Sequence, residues 1–478
     1  MERRKYDLVV IGSGPAGEKG AAQAAYFGKK VALVEREPFL GGTASSNTVP
    51  SKTLRETALA LSGFNSRRLH GVDLSLHRQA TVRDFLYHEE SVKEAERARV
   101  AYNLDRHNVD VCVGHGSFVD GRTVKVETNG QVAALLEGDI ILIATGSSPR
   151  RPEGFPEGPC TYDSDTIPQL RRIPRNIVVV GGGVVGCEYA CTFAALGVRV
   201  FFIHGSDTLL PFLDREISLA LRKSMQAMGI ELLMPSKAEL HSDEEFGVAI
   251  KLDSGRILET EALLLATGRV SNTRELSLAS AGITAGTHGV LAVDGNFQVV
   301  HPETRAPVPR IYAAGDVIGA PALASTAMEQ ARFAMIRAFD LEPYKQRLAP
   351  IFPMAIYTIP ECSKAGKTEE DCKREGVDYV AGRAWYSQNA RGMIVGGETG
   401  FLKLFFEMND DLLQPMKLLG VHIIGEMASE LVHIGVNALM MGAGNDLFID
   451  TCFNYPTLGE LYKYATYDAM GNRRKTPR

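Results

Sequence analysis

Residues 6–17, YDLVVIGSGPAG, decide the fold of this chain. The apolar run Tyr6–Ile11 is typical of a buried strand, and it leads directly into three glycines, Gly12, Gly14 and Gly17, spaced as GxGxxG. In such a loop the first glycine permits a tight turn, the second lets the backbone approach a pyrophosphate, and the third lets the next helix pack closely. The stretch therefore predicts a βαβ unit that binds a dinucleotide.

Two acidic residues belong to this first unit. Glu35 closes the next apolar run, Val31–Val34, where a carboxylate accepts hydrogen bonds from ribose hydroxyls. Much later, the end of another apolar run delivers Gly315 and Asp316. The Asp316 carboxylate is predicted to bind the ribityl chain of a flavin. The simpler interpretation of Asp316 is a helix N-cap, and the two roles are compatible.

The same pattern occurs a second time. The run Asn176–Val180 leads into Gly181, Gly183 and Gly186, and a small-residue helix pattern and the run Val198–Ile203 follow. Each of the two units is also followed by an apolar run that ends in Ala-Thr-Gly, at residues 144–146 and 266–268. This internal repeat predicts two dinucleotide-binding folds in one chain.

The second unit lacks the acidic residue. His204 occupies that position, and Gly205 and Ser206 follow it. Because no carboxylate there repels a 2′-phosphate, the site is predicted to accept both NAD and NADP. The alternative is that His204 is a strand-end residue at a solvated edge, and the permissive site does not depend on His204 itself.

The composition excludes several classes of protein. At 478 residues the chain is expected to form two or three domains, and a net charge of −5 gives no basic surface for nucleic acid. The sequence has no apolar stretch of 18 residues that would span a membrane. Seven cysteines, sparse and odd in number, argue against a secreted disulfide framework. We expect a soluble, cytoplasmic protein without a metal site.

Together these motifs resemble the pyridine nucleotide–disulfide oxidoreductase family, which includes dihydrolipoamide dehydrogenase and glutathione reductase. Within it the chain is most similar to the soluble, si-specific NAD(P)+ transhydrogenase branch. The resemblance implies FAD in the first nucleotide site, NAD or NADP in the second, and a homodimer. It also implies that Lys52 and Glu188 form an ion pair beside the flavin N5. Further positions expected to contact FAD or the coenzyme are Gly42, Thr43, Gly116, Thr145, Gly146 and Gly268.

The expected fold class is α/β, with two Rossmann-like domains and a C-terminal α+β dimerisation domain. The FAD-binding domain is expected to comprise residues 1–150 and 276–347, the NAD(P)-binding domain residues 151–275, and the dimerisation domain residues 348–478. Lys52 and Glu188 also have simpler interpretations, as a solvated helix residue and a surface charge.

Two departures from the family pattern bear on function. Disulfide reductases place two cysteines before Pro-Ser-Lys, but here Ala44 and Thr48 lie near those positions, in a segment one residue shorter. The family's catalytic histidine near the C-terminus is replaced by Tyr455, although Glu460 remains. The chain therefore lacks the groups that disulfide chemistry needs.

Hydride transfer between a nicotinamide and a flavin needs none of those groups. We therefore predict ping-pong transfer from NADPH to NAD+ through FAD. One alternative is an NAD(P)H oxidase or diaphorase that passes electrons to oxygen, a quinone or a metal ion. Another is a redox sensor in which coenzyme binding controls a partner and turnover is incidental.

Overall fold

The computed structural model describes residues 2–62, 81–344, 347–397, 399–409, 411 and 413–475. Contacts within the chain divide it into two compact units. Unit 1 comprises Met1–Thr53, Tyr87–Arg150 and Gly268–Ala349, and unit 2 comprises Leu54–Leu86, Arg151–Thr267 and Pro350–Arg478.

The strands in chain order are β1 (Glu2–Ile11), β2 (Val31–Glu35), β3 (Asp110–Val113), β4 (His115–Phe118), β5 (Thr123–Thr128), β6 (Gln131–Ile143), β7 (Ser147–Pro149), β8 (Thr161–Asp163), β9 (Asn176–Val180), β10 (Arg199–Ile203), β11 (Glu231–Leu233), β12 (Ala238–Glu244), β13 (Gly247–Leu252), β14 (Ile257–Thr260), β15 (Ala262–Leu265), β16 (Arg269–Ser271), β17 (Gln298–Val300), β18 (Pro307–Ala313), β19 (Met354–Ile356), β20 (Glu361–Gly366), β21 (Tyr379–Trp385), β22 (Phe401–Glu407) and β23 (Leu418–Gly425). The α-helices are α1 (Pro15–Tyr26), α2 (Val49–Ser62), α3 (Val82–Asp105), α4 (Val184–Ala195), α5 (Arg215–Ala227), α6 (Ala324–Ala338), α7 (Glu369–Glu375), α8 (Ala390–Ile394), α9 (Ala428–Met440), α10 (Asn445–Asp450) and α11 (Leu461–Lys475).

Unit 1 is built on a sheet with the order β17-β18-β6-β1-β2-β3, to which β5 and β4 are added through β6. Within the series β18-β6-β1-β2-β3 each strand is parallel to the next, whereas β17 and β5 are antiparallel to β18 and β6. Ile11 pairs with Val34 and with Ile143, so β1, β2 and β6 end at the same edge. Because the carboxyl ends of these strands coincide, the loops that follow them lie together, as nucleotide binding in this kind of sheet requires.

Both faces of this sheet are covered. Leu8 and Val10 of β1 pack on one face with residues of α1, whereas Val9 and Ile11 pack on the other face with residues of β5 and β18. A strand buried on both sides needs apolar residues at every position. This explains why the last four residues of the first strand, Leu8–Ile11, form a continuous apolar run in the sequence.

Unit 2 contains a second parallel sheet with the order β11-β10-β9-β15-β8. Val180 pairs with Ile203 and Leu265, so here too the strand ends coincide. The same unit contains the antiparallel sheet β12-β13-β14 and a C-terminal antiparallel sheet with the order β19-β20-β23-β22-β21. Residues of α9, α10 and α11 pack with this C-terminal sheet in one core cluster.

These sheets confirm the predicted α/β class with two dinucleotide-binding folds and a C-terminal α+β region. The first strand is longer than predicted, because residues from Glu2 onward pair with Ala134 and its successors in β6. The predicted domain boundaries stay a prediction. Among the residues that the structure describes, every helix falls short of the length or the apolar character needed to cross a membrane.

Candidate functional site

The first glycine loop has the backbone geometry of an anion-binding turn. Gly12 has φ +101°, and a Cβ atom there would lie 2.5 Å from the Ala144 carbonyl oxygen. A Cβ on Gly17 would lie 1.8 Å from the Gly12 carbonyl oxygen. At Gly14, the N-cap of α1, a Cβ would meet nothing within 4 Å. The loop is therefore closed on the protein side and open at the helix N-terminus, where backbone N–H groups favour a phosphate.

The second glycine loop repeats this geometry in unit 2. Gly181 has φ +120° and approaches the Ala266 carbonyl oxygen, at 2.2 Å from an added Cβ. A Cβ on Gly186 would lie 1.9 Å from the Gly181 carbonyl oxygen. Gly183 caps α4 and is open to at least 4 Å. Two loops in separate sheets thus have the same three glycine roles and the same opening for an anion.

Glu35 is held next to the first loop. Its Oε2 accepts hydrogen bonds from the Ser13 backbone N–H at 2.9 Å and from the Ser13 hydroxyl at 2.6 Å. The Glu37 N–H donates to the other oxygen, Oε1, at 3.0 Å. These bonds use three of the roughly four lone-pair sites of a carboxylate, so Glu35 keeps one site, on Oε1, to accept a ribose hydroxyl.

The other proposed FAD-contacting residues lie around the same edge of unit 1. Gly42 has φ +51°, and a Cβ there would lie 3.1 Å from the Gly14 Cα atom. A Cβ on Gly116 would lie within about 3.2 Å of Ile11 and Val34, at the ends of β1 and β2. The remaining members are Thr43 beside Gly42, Thr145, whose hydroxyl donates to the Asn272 carbonyl at 2.8 Å, and Gly146, with φ +67°.

Asp316 is fixed by a chain of hydrogen bonds. The Ser147 hydroxyl donates to its Oδ2 at 2.8 Å, and Arg269 Nε donates to the Ser147 hydroxyl oxygen at 2.7 Å. An Arg269 terminal nitrogen also donates to the Ser147 carbonyl at 2.6 Å. The N-cap alternative for Asp316 is wrong, because Gly315 caps the short turn Asp316–Ile318.

This chain of hydrogen bonds depends on a two-stranded ribbon. Strands β7 and β16 are antiparallel and pair Ser147 with Ser271. They follow directly after the two Ala-Thr-Gly segments. The roles of Ser147 and Arg269 were not predictable from the sequence, since the two residues lie 122 positions apart and no local pattern connects them.

Glu188 is buried in unit 2, with 6% of its surface exposed. Its Oε1 accepts a hydrogen bond from the Tyr357 backbone N–H at 2.8 Å. The interpretation of Glu188 as a surface charge is therefore wrong. Lys52 lies half-buried on α2, with its Nζ 3.3 Å from the Ser51 hydroxyl. The pairing of Lys52 with Glu188 stays a prediction.

His204 directly follows β10 and is half-buried against the second glycine loop, whereas residues 205–208 are exposed. The Gly182 N–H donates to His204 Nδ1 at 3.2 Å, and a Cβ on Gly182 would collide with the ring. Burial lowers the pKa of His204, and a hydrogen bond with the Thr208 backbone has the opposite, smaller effect. The ring is thus neutral at pH 7 and is engaged with its own surroundings. Gly268, with φ +106°, lies at the end of the second Ala-Thr-Gly segment.

The segment that would carry redox cysteines forms a π-helical turn, Ala44–Thr48, which continues into α2. Ala44 is half-buried and Thr48 is exposed. Such turns are rare and often lie at functional sites, because they displace the backbone that follows. Tyr455 has 77% of its surface exposed. The Ala44–Thr48 turn contains no thiol, and Tyr455 provides a phenol where the family has an imidazole.

Comparison with known proteins agrees with this geometry. Residues 6–331 match the family model described as pyridine nucleotide-disulphide oxidoreductase, and residues 352–466 match the dimerisation domain of that family. The soluble pyridine nucleotide transhydrogenase of Mycobacterium tuberculosis (strain ATCC 25177 / H37Ra) is 40% identical over 474 residues, 98% of each chain. The enzyme of the same name from Pseudomonas putida is 40% identical over 471 residues, 97% of this chain and 98% of that protein.

Solved structures have the same fold. LpdA from Mycobacterium tuberculosis aligns over 100% of both chains with a TM-score of 0.85 and 26% identity. The HOCl-induced flavoprotein disulfide reductase RclA from Escherichia coli aligns over 97% of this chain and 99% of its own, with a TM-score of 0.83 and 24% identity. With two family models and full-length relatives matched, the chain belongs to the pyridine nucleotide–disulphide oxidoreductase family.

Proposed function

We propose that the protein is an FAD-dependent NAD(P)+ transhydrogenase that moves a hydride between NADPH and NAD+. One observation carries the proposal: two glycine loops of matching geometry coexist with a segment that lacks both redox cysteines. The names of the full-length relatives support the same activity.

The first glycine loop and its neighbours fit FAD. The opening at Gly14 accepts a pyrophosphate, and Glu35 and Asp316 are fixed carboxylates for the ribose and the ribityl hydroxyls. When bound, FAD supplies a ring nitrogen, N5, that accepts and returns a hydride. Other residues proposed to contact it are Gly12, Gly17, Gly42, Thr43, Lys52, Gly116, Thr145 and Gly146.

The chain's own residues supply orientation and electrostatics. Lys52 is proposed to place a positive charge at the flavin, where it stabilises negative charge on the reduced ring. Glu188 is proposed to fix the ammonium of Lys52. Its own orientation is set by the Tyr357 N–H.

The second loop is proposed to bind the nicotinamide coenzyme through Gly181, Gly183, Gly186, His204 and Gly268. No carboxylate occupies the position of His204, and the imidazole is neutral because burial lowers its pKa. A neutral residue there excludes neither a ribose hydroxyl nor a 2′-phosphate. The two coenzymes are thus expected to bind in turn at one site.

The proposed form is a cytoplasmic homodimer. Residues 352–466 match the family's dimerisation domain. The seven cysteines are free, and Cys187, Cys191 and Cys362 are buried, which suits a reducing compartment.

The activity is tested by mixing the purified, FAD-loaded protein with NADPH and thio-NAD+ without oxygen. Transhydrogenation predicts stoichiometric formation of thio-NADH. A parallel reaction with NADPH and oxygen alone measures oxidase activity. Rapid oxygen consumption without thio-NADH formation would contradict the proposal and favour the oxidase.

A further inference from the structure

In the proposed second nucleotide site, the loop after β10, residues 204–208, contacts the adenosine ribose. The side chains of this loop carry no positive charge. His204 is neutral, and its ring is engaged with Gly182 and with the Thr208 backbone. The Ser206 hydroxyl accepts the Thr208 N–H at 3.3 Å, and the Thr208 hydroxyl donates to Asp207 Oδ1 at 2.9 Å. The only formal charge in residues 204–208 is therefore the Asp207 carboxylate.

A 2′-phosphate carries close to two negative charges and needs strong donors. Guanidinium groups suit this task because their planar fork of N–H groups matches phosphate oxygens. A site that binds NADPH therefore requires a cation from outside residues 204–208.

Helix α5 brings such a cation to the loop. Arg222, half-buried in the third turn of α5, donates from its Nη1 to the Asp207 carbonyl oxygen at 3.1 Å. This bond uses one of the five guanidinium N–H groups. The bond also places the positive charge of Arg222 beside the loop after β10, and it is made to the Asp207 carbonyl oxygen and not to the Asp207 carboxylate.

The helix itself is firmly attached. The Ser218 hydroxyl donates to the Leu209 carbonyl, just beyond the loop. At the start of the helix, Asp214 accepts the Glu216 N–H at 3.0 Å as N-cap. Arg222 therefore extends from a fixed support, which lowers the entropy lost when it binds a ligand.

We propose that Arg222 recognises the 2′-phosphate of NADPH and so sets the coenzyme preference of the second nucleotide site. The inference rests on the proposed function for the identity of the ligand. Arg222 thereby supplies the positive charge that residues 204–208 lack. The competing role is purely structural, a support for the Asp207 carbonyl.

Binding of two fragments that undergo no hydride transfer separates these roles. The full-length, FAD-loaded protein is titrated with 2′,5′-ADP and with 5′-ADP by calorimetry, and the fragments differ only in the 2′-phosphate. Arg222→Gln is compared with Arg222→Lys and with the matched control Lys223→Gln, whose position is adjacent and exposed. Thermal unfolding of each variant shows that it is folded.

We expect Arg222→Gln to weaken 2′,5′-ADP binding at least tenfold and 5′-ADP binding less than twofold. Arg222→Lys should recover part of the loss, and Lys223→Gln should change neither. Equal weakening of both fragments, or no weakening, would overturn the proposal. These outcomes are independent of turnover, whereas failure of the proposed function would appear as absent thio-NADH formation with fragment binding intact.

Discussion

At the residue scale, the position of His204 bears on coenzyme choice because no carboxylate stands there. A glutamate at this position would still accept the Gly182 N–H but would add a negative charge beside the ribose. We expect His204→Glu to raise KM for NADPH by about tenfold or more, since like charges in a partly desolvated site cost about 1–2 kcal/mol. KM for NADH should change much less.

The control for this prediction is His204→Gln, which keeps a hydrogen-bond acceptor without the charge. Steady-state kinetics with each coenzyme and an artificial acceptor provide the measurement. Equal effects of His204→Glu on NADPH and NADH would show that the residue only supports the loop.

Ser147 is a positioning residue for Asp316. Its hydroxyl oxygen accepts a hydrogen bond from Arg269 at 2.7 Å, and the hydroxyl donates to the Asp316 carboxylate at 2.8 Å. The position of Arg269 therefore helps to orient the carboxylate. Removing the hydroxyl frees the Asp316 side chain to rotate, and a lost hydrogen bond to a charged group costs about 1.5–3 kcal/mol. We expect Ser147→Ala to raise the Kd for FAD by about tenfold or more, measured by flavin fluorescence on reconstituting the apoprotein.

The adjacent residue offers a matched control. Ser148 belongs to the same ribbon, but its hydroxyl donates to the Asn272 side chain at 2.7 Å and not to Asp316. Ser148→Ala should therefore alter FAD affinity far less than Ser147→Ala. Similar losses of FAD affinity in both variants would mean that any substitution in the ribbon weakens FAD binding, and that the Ser147 hydroxyl has no specific role in orienting Asp316.

At the scale of elements, one buried lysine joins helix α5 to the C-terminal sheet. Lys403 of β22 is 0% exposed. Its Nζ contacts Asp214 Oδ2 at 3.0 Å, Glu216 Oε1 at 2.7 Å and Glu369 Oε2 at 3.1 Å. Removing Lys403 leaves the fully buried Asp214 carboxylate without its cation, whereas the exposed pair of Lys251 and Glu239 has water to replace a lost partner.

We expect Lys403→Met to lower the free energy of unfolding by about 3–5 kcal/mol, the usual cost of breaking a buried ion pair. Lys251→Met, in the exposed pair, should cost less than about 1 kcal/mol. Urea unfolding of both variants is the measurement. A loss for Lys403→Met as small as that for Lys251→Met would contradict this account of the cluster.

The same cluster predicts acid sensitivity. Hydrogen bonds from Arg383 and Lys403 lower the pKa of Glu216 to about 2. Burial opposes the shift at Glu369, but hydrogen bonds from Tyr379, Lys403 and Lys373 outweigh it and lower its pKa to about 2. Because the folded pKa values lie below the ordinary 4.5, the stabilisation is present above pH 4.5 and is lost as the pH falls toward 2.

The urea concentration at the midpoint of unfolding should therefore decrease as the pH is lowered from 4.5 toward 2. In Lys403→Met the fall should be smaller, since one partner that lowers both pKa values is gone. An unchanged pH dependence in that variant would show that Lys403 does not hold these carboxylates in their charged form.

The strands and glycine loops could be predicted from the sequence, but the contacts of the site residues could not. Apolar runs and glycine spacing located both glycine loops, because strand burial and the turn at Gly12 are dictated by residues within a short stretch. The Asp316 and Glu188 environments were not predictable in this way. Ser147 is 169 residues from Asp316, and Tyr357 is 169 residues from Glu188. Contacts of that kind arise only from the tertiary fold.

The π-helical turn Ala44–Thr48 illustrates another limit. The sequence showed that the two cysteines are absent, which was enough to argue against disulfide chemistry. It did not show the backbone conformation, because Ala, Ser, Asn and Thr in this order suit several local structures. The absence of redox chemistry in this segment was therefore predictable from its residues, whereas its backbone conformation is known only from the structure.

At the scale of the whole molecule, the C-terminal residues are part of the unit 2 core. Ile356, Phe401 and Ile424 belong to the same hydrophobic cluster as Phe193 and Ile217. Deleting residues 348–478 would expose this cluster, and exposed apolar surface of that extent favours aggregation. We expect the truncated chain to be either insoluble or a monomeric, inactive protein. Size-exclusion chromatography and an NADPH turnover assay are the measurements, and an active, soluble monomer would refute the prediction.

The most direct test of the account is anaerobic stopped-flow absorbance of the FAD-loaded protein. NADPH is added first, and NAD+ is added after the flavin absorbance has stopped changing. A transhydrogenase predicts rapid bleaching with NADPH and full recovery with NAD+, both at least as fast as steady-state turnover. Bleaching that only oxygen or a quinone reverses would contradict the account.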